Sequence, residues 1–331
     1  MPTLEGQTFA GYEIISKLGQ GGMGAVWKAR QPLLNRFAAV KIMAPELAAD
    51  PEFVKRFKRE ATAAASLTHE NLVQVYGAGE FEGQHYIAME FVEGETLRNL
   101  IERSGRLEPA EALAITIQVA QALQYGWNKA RLIHRDIKPE NIFLTPQKEV
   151  RVGDMGLAKT VGGPTTSLTQ TGITMGSPHY ISPEQARGLK EIDFRADIYS
   201  LGCTLFHMLT GRPPYEADDA LALIAKHVND PPPAIFKVWP TCPLSLGMLV
   251  GKMLAKKPHE RPGSYEELIA QLRQVREKLG RSESPEPAVG SRPVAAAAAA
   301  PRVATPKPVK ARLAIRDWRL VVGGAAVVMA G

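Results

Sequence analysis

Cysteine is nearly absent from this chain: Cys203 and Cys242 are the only two in 331 residues, and they form no CxxC pair. That excludes a disulfide framework and fits a reduced, cytosolic setting. The seven histidines are scattered, with no HxxxH-type pairing, so no structural metal is expected. The opening residues Met1 to Glu5 lack the charged-then-apolar pattern of a signal peptide. An excess of one charge is missing too. The formal charge is +6, but residues 281–331 hold eight Lys/Arg against three Asp/Glu, leaving residues 1–280 at 32 against 31. A nearly neutral main body argues against nucleic acid as a partner. No internal repeat is visible.

What is present begins with His134-Arg135-Asp136-Ile137-Lys138-Pro139-Glu140-Asn141. The proline forbids a helix there, and the apolar Ile142-Phe143-Leu144 that follows suits a buried strand. Such a loop fits phosphoryl transfer. Asp136 can accept a hydroxyl proton, Lys138 can neutralise the phosphate in flight, and Asn141 can hold a divalent cation through its amide oxygen. A solvated charged turn is the plainer alternative. Taken whole, the eight residues resemble the catalytic loop of eukaryotic-type serine/threonine protein kinases of the bacterial kind.

The resemblance continues along the rest of the chain. Gly19, Gly21 and Gly24 form GxGxxG between Leu18 and Val26. A dinucleotide-binding turn would run straight into an amphipathic helix. Here Ala25 to Ala29 has strand composition and Gln31-Pro32 ends it, which predicts a hairpin. It resembles the kinase glycine-rich loop, where backbone amides approach ATP phosphates. Lys41, 17 residues after Gly24, interrupts the apolar strand Ala38-Ala39-Val40-Lys41-Ile42. An edge lysine that snorkels to water is one reading; the resemblance instead makes it the lysine gripping the α- and β-phosphates. Buried, it would need an anionic partner.

A helix is expected from Pro51, capped by Asp50, to about Leu67, with Phe53, Phe57, Glu60 and Ala64 on one stripe. Glu60 is then either Lys41's partner or a solvated acid at the stripe's margin; the pairing is the expectation. Leu72–Tyr76 and Tyr86–Val92 are expected as strands around a turn at Glu82-Gly83. By resemblance Met89 guards the rear of an adenine pocket to which Val26 and Ala39 also belong. The backbone of Glu90 to Val92 would bond the adenine edge. A long helix from Pro109 to about Lys129 and two short strands, 142–145 and 149–153, bracket the catalytic loop.

Asp154-Met155-Gly156 follows thirteen residues after Asn141, where the family usually carries Asp-Phe-Gly. The resemblance makes Asp154 a ligand of the Mg²⁺ (or Mn²⁺) that accompanies ATP. Methionine would fill the phenylalanine slot less rigidly, so Met155→Phe is expected to raise the activity of unphosphorylated protein. The Ser/Thr/Gly-rich span 159–184, ending in Ser182-Pro183-Glu184, resembles an activation segment. Arg135 offers it a bidentate phosphate partner, and Thr169 and Thr171 are the expected autophosphorylation sites. By the same resemblance Arg261 pairs with Glu184, and Asp197 holds the catalytic loop's backbone; Asp197 could also simply cap its helix. Helices are expected at 197–210 and near 218–229, 244–255 and 264–279.

The resemblance covers about residues 9–279 and implies an α+β, two-lobed fold. Residues 9–92 would form a β-rich lobe with one helix, and 93–279 a mainly helical lobe. It implies an ATP-dependent kinase acting on Ser/Thr hydroxyls of proteins, itself included in trans. Lysine two residues after Asp136 disfavours tyrosine as the acceptor. A small-molecule phosphotransferase would not be expected to carry the Thr-rich segment, Ser182-Pro183-Glu184 and Arg261. A catalytically weak kinase-like scaffold is the non-enzyme alternative, supported by Met155. Residues 280–312, Pro/Ala-rich, are expected as a disordered linker. Residues 313–331 combine arginines with twelve uncharged residues, Leu320 to Gly331. Twelve helical residues span about 18 Å, short of the ~30 Å hydrocarbon core. They would suit the opening of a transmembrane helix at the inner face of the plasma membrane, or a frayed apolar terminus.

Overall fold

A computed structural model describes residues 4–154 and 178–283. The expectations for Met155, Gly156, Thr169, Thr171 and the segments beyond Glu283 lie outside the described residues.

Six antiparallel strands build the first lobe, in the spatial order β1-β2-β3-β4-β6-β5. They are β1 (Thr8–Phe9), β2 (Tyr12–Gly21), β3 (Gly24–Gln31), β4 (Arg36–Met43), β5 (Val75–Phe81) and β6 (Gln84–Glu90). Alternation sorts the side chains of β3 and β4 between the two faces. One face buries Phe9, Tyr12, Ile14, Trp27, Val40 and Ile42. The other buries Ala39, Met43, Ile87 and Met89 beneath the helices α1 (Pro45–Ala48) and α2 (Pro51–Ala65). α2 starts where expected, because Asp50 Oδ1 accepts from the backbone N–H groups of Glu52 (2.9 Å) and Phe53 (3.3 Å).

The second lobe carries α3 (Leu97–Ser104), α4 (Pro109–Ala130), α5 (Pro183–Ala186), α6 (Arg195–Thr210), α7 (Ala220–Asn229), α8 (Ile235–Val238), α9 (Leu244–Met253) and α10 (Tyr265–Glu283). A small sheet, β7 (Glu95–Thr96), β8 (Ile142–Leu144) and β9 (Val150–Val152), completes it. α6 is buried over almost its whole length and packs against α4, α9 and α5. Among the described residues no helix is long and apolar enough to cross a membrane.

Three elements differ from the sequence expectation. The strand expected at 72–76 begins only at Val75, because the residues before it pair elsewhere. Val152 N–H donates to Asn71 O and Val73 N–H to Val152 O (both 2.9 Å), so 71–73 joins the small sheet instead. No element was expected over 97–104, where α3 arises: Thr96 Oγ1 accepts Asn99 N–H at 3.2 Å, and Leu97 and Ile101 are buried on one side. α10 continues through Gly280 to Glu283, into the stretch expected as linker. Its buried Leu268, Leu272 and Val275 pack against the α4 layer, which outweighs the roughly 1 kcal/mol an interior glycine costs.

Candidate active site

His134 and Ile137 are fully buried. His134 Nδ1 accepts from Asp136 N–H (3.2 Å), so its Nε2 is the protonated nitrogen and donates to Gly153 O (2.9 Å). Asp197, 1% exposed, accepts His134 N–H on Oδ2 and Arg135 N–H on Oδ1, each at 2.8 Å. Burial raises the Asp197 pKa, and His134 and the two backbone donors oppose the rise. Asp197 sits inside α6, and helix capping is done without it.

Asp136 is held by its neighbours. Lys138 Nζ is 2.9 Å from Asp136 Oδ2, and Asn141 Nδ2 donates to Asp136 O (2.8 Å) and Oδ2 (3.1 Å). Asn141's amide nitrogen is thereby committed, and its oxygen is the end able to meet a cation. Asn141 also accepts Gly153 N–H on its backbone oxygen at 2.8 Å. The Gly153 peptide is thus gripped on both sides by the catalytic loop. Asp154 follows with φ +53°, a left-handed conformation sparsely populated by non-glycine residues.

Asp154 Oδ1 meets Lys41 Nζ at 2.9 Å. This corrects the expected pairing: among the described residues Lys41's ion pair runs to Asp154, 113 positions on, and not to Glu60. The left-handed backbone at Asp154 turns its carboxylate toward the Lys41 ammonium. Glu60 is buried on the core-facing side of α2, where the sequence pattern put it.

Val26 lies opposite Lys41, and Ala39 opposite Met89, across adjacent strands. Leu18 is about half exposed at the loop's mouth. A cavity of about 10 Å³, room for one water, lies between Met89, Asp154, Ala64, Leu67 and Leu72. At the hinge, Glu90 N–H donates to Gln74 O (2.8 Å) and is committed there. A base edge would therefore find the remaining main-chain groups between Glu90 and Val92. Glu90's carboxylate reaches both Gln74 N–H (3.2 Å) and, at 3.6 Å, Arg151 Nε in β9.

The glycines at 19, 21 and 24 are not equivalent. A Cβ at Gly19 or Gly21 would meet nothing, whereas one at Gly24 (φ +133°) would lie 1.9 Å from Ile42 O. Strand β3 follows Gly24 directly, which excludes the dinucleotide-binding alternative.

On the far side of the loop, Arg261 grips Glu184 with Nη1 at 2.6 Å and Nη2 at 2.9 Å. Its remaining donors go to Ala255 O, Arg195 O and Lys256 O. Two supports were not singled out from the sequence. Gln185 Nε2 donates to Arg135 O at 2.9 Å, tying α5 to the catalytic loop. The Ser182/Gln185 capping box was legible as a motif but not its second job. Asn71 Nδ2 reaches Val150 O (3.0 Å) and Gln118 Oε1 (3.2 Å), which joins the two lobes.

Comparison with known proteins agrees with this geometry. The protein kinase domain family matches residues 12–273. The serine/threonine-protein kinase PknF of Mycobacterium tuberculosis is 41% identical over 308 residues, covering 91% of this chain and 63% of PknF. PrkC of Bacillus subtilis is 39% identical over 262 residues, covering 79% of this chain and 40% of PrkC. This chain therefore spans less than two thirds of these relatives. The crystal structure of a double mutant of the Mycobacterium tuberculosis PknI kinase domain is similar with a TM-score of 0.69 and 32% identity, over 83% of this chain and 100% of that one. The chain belongs to the protein kinase family, among the bacterial serine/threonine kinases of eukaryotic type.

Proposed function

We propose that this chain transfers the γ-phosphate of ATP to serine or threonine hydroxyls of proteins. The observation that carries the reading is one continuous set of contacts. Asp136 is fixed by Lys138 and Asn141, Asn141 is bonded to Gly153, and Asp154 beside it meets Lys41. Asp136 accepts the acceptor hydroxyl's proton, and Lys138 balances charge on the phosphoryl oxygens. Lys41 steadies the triphosphate, and the glycine turn at 19–24 lets backbone amides approach it.

The residues fit ATP with a divalent cation, Mg²⁺ or Mn²⁺. Asn141's free amide oxygen and the Asp154 carboxylate are hard oxygen donors suited to such an ion, and the backbone at Gly24 has no room for a side chain. The ion would supply charge neutralisation on the triphosphate. Val26, Ala39 and Met89 would line the base, with main chain from Glu90 to Val92 at its edge.

The domain plan of a kinase domain from residue 9, a linker that follows α10 up to residue 312 and a basic segment 313–331 belongs to the same proposal. So do trans-autophosphorylation at Thr169 and Thr171, with Arg135 as the phosphate's partner, and attachment at the inner face of the plasma membrane. Mass spectrometry of active protein tests the two threonines: neither modified removes them.

Labelled ATP, Mg²⁺ and a generic basic protein, incubated with this chain and with its Asp136→Asn variant, test the activity. Label on the protein with the parent chain alone is expected. Equal labelling by both proteins overturns Asp136's role; none with either leaves the scaffold reading.

A further inference from the structure

Asp197 lies beneath the catalytic loop and accepts from more than the loop. Tyr265, the first residue of α10, is 2% exposed. Its hydroxyl stands 3.4 Å from Asp197 Oδ2 and 3.4 Å from Phe194 O. One phenol proton serves one acceptor best, and a charged acceptor makes the stronger bond. The ring would pack equally well as phenylalanine. Tyr265 lies against Phe194 with centroids 5.3 Å apart, and Phe194 lies 5.2 Å from Trp127 of α4. A buried hydroxyl is costly unless it is bonded, so the oxygen itself calls for a reason.

The oxygen it meets supplies that reason. Asp197 Oδ2 is the atom that accepts His134 N–H, two residues before Asp136. We infer that Tyr265 is a positioning residue: its hydroxyl fixes Asp197 Oδ2, through it the His134–Arg135 backbone, and so the placement of Asp136. α10, the last helix among the described residues, thereby acts on the catalytic loop through Asp197. Burial and the nearby Asp197 push the Tyr265 phenol well above its ordinary range, so it stays protonated and donates.

The inference rests on the kinase reading for its kinetic consequence but not for its structural one. Tyr265→Phe in the whole chain removes the hydroxyl alone. The expected result is a kcat lower by about five-fold, the worth of one net hydrogen bond, with KM for ATP and for the protein substrate unchanged. In an Asp197→Ala background, which removes the acceptor itself, Tyr265→Phe should add nothing. An unchanged kcat, or an undiminished effect in that background, overturns the assignment. Hydrogen exchange at one fixed pH gives a readout independent of catalysis. The His134 and Arg135 amides are expected to exchange faster in Tyr265→Phe, while the interior α9 amides of Leu249 and Val250 do not. Faster exchange in a chain without kinase activity would keep the positioning role and dismiss the kinase reading. Unchanged exchange at His134 and Arg135 dismisses the role itself.

Discussion

Lys41 and Asp154 face each other across the cleft at 2.9 Å, one from the middle of β4 and the other just past β9. The lysine side chain is 10% exposed and the aspartate 36%. Removing either partner leaves a partly buried charge alone, but solvent near Asp154 screens the loss. Lys41→Met and Asp154→Ala are each expected to lower stability by about 1 kcal/mol, and the double variant by less than the sum. Denaturant unfolding of the three proteins checks this. Additive losses would mean that the two charges do not interact in solution.

The glycine turn predicts unequal tolerance at equal-looking positions. Gly24→Ala forces a side chain onto Ile42 O and into an unsuitable backbone conformation. It is expected to lower the melting temperature and to raise KM for ATP at least ten-fold. Gly21→Ala, with open space around it, should leave the melting temperature unchanged and act on nucleotide binding alone. Thermal melts beside ATP titrations separate the two.

Much of the site was legible because its residues sit at fixed offsets in short loops. His134 to Asn141 carries its own geometry: the proline, the buried His134 and Ile137, and the Asn141–Asp136 bonds all arise within eight positions. Glu60 could be placed on α2's inner face by periodicity, yet its relation to Lys41 could not. That depends on where Asp154 swings, a matter of backbone torsion 113 residues away in the chain. The split of 71–75 between two sheets was hidden for a similar reason. Leu72-Val73-Gln74-Val75 has uniform strand composition, and only the tertiary pairing with Val152 divides it. Tyr265 gave no signal at all, since an aromatic residue at a helix start is ordinary core material.

Arg261 gives a sharper stability test than any surface pair. Its side chain is 0% exposed and every guanidinium nitrogen bonds an oxygen. Arg261→Ala would strand Glu184 and the carbonyls of Ala255, Arg195 and Lys256. A loss of about 3–5 kcal/mol is expected. Arg261→Lys keeps the charge but not the planar fork, and should recover less than half of that loss in denaturant melts.

Two buried histidines set an acid limit on the fold. Tyr180 OH and His207 Nδ1 are hydrogen-bonded at 2.6 Å, and Tyr199 OH and His227 Nδ1 at 2.9 Å. Burial pushes His207 down to about 4 and His227 down to about 3, so both stay neutral in the folded protein at pH 7. The unfolded chain takes up these protons near pH 6.5, before the folded one does. Folding therefore keeps the histidines' full contribution above pH 6.5 and loses it as pH falls toward 4. With two protons involved, the slope reaches about 2.7 kcal/mol per pH unit between roughly pH 6 and 4. Unfolding free energies for the parent chain and for His207→Gln, measured from pH 7 to 4, check this. The variant is expected to lose about half of that slope. An equal slope in both would place His207's proton affinity near that of a solvated histidine, against the burial seen here.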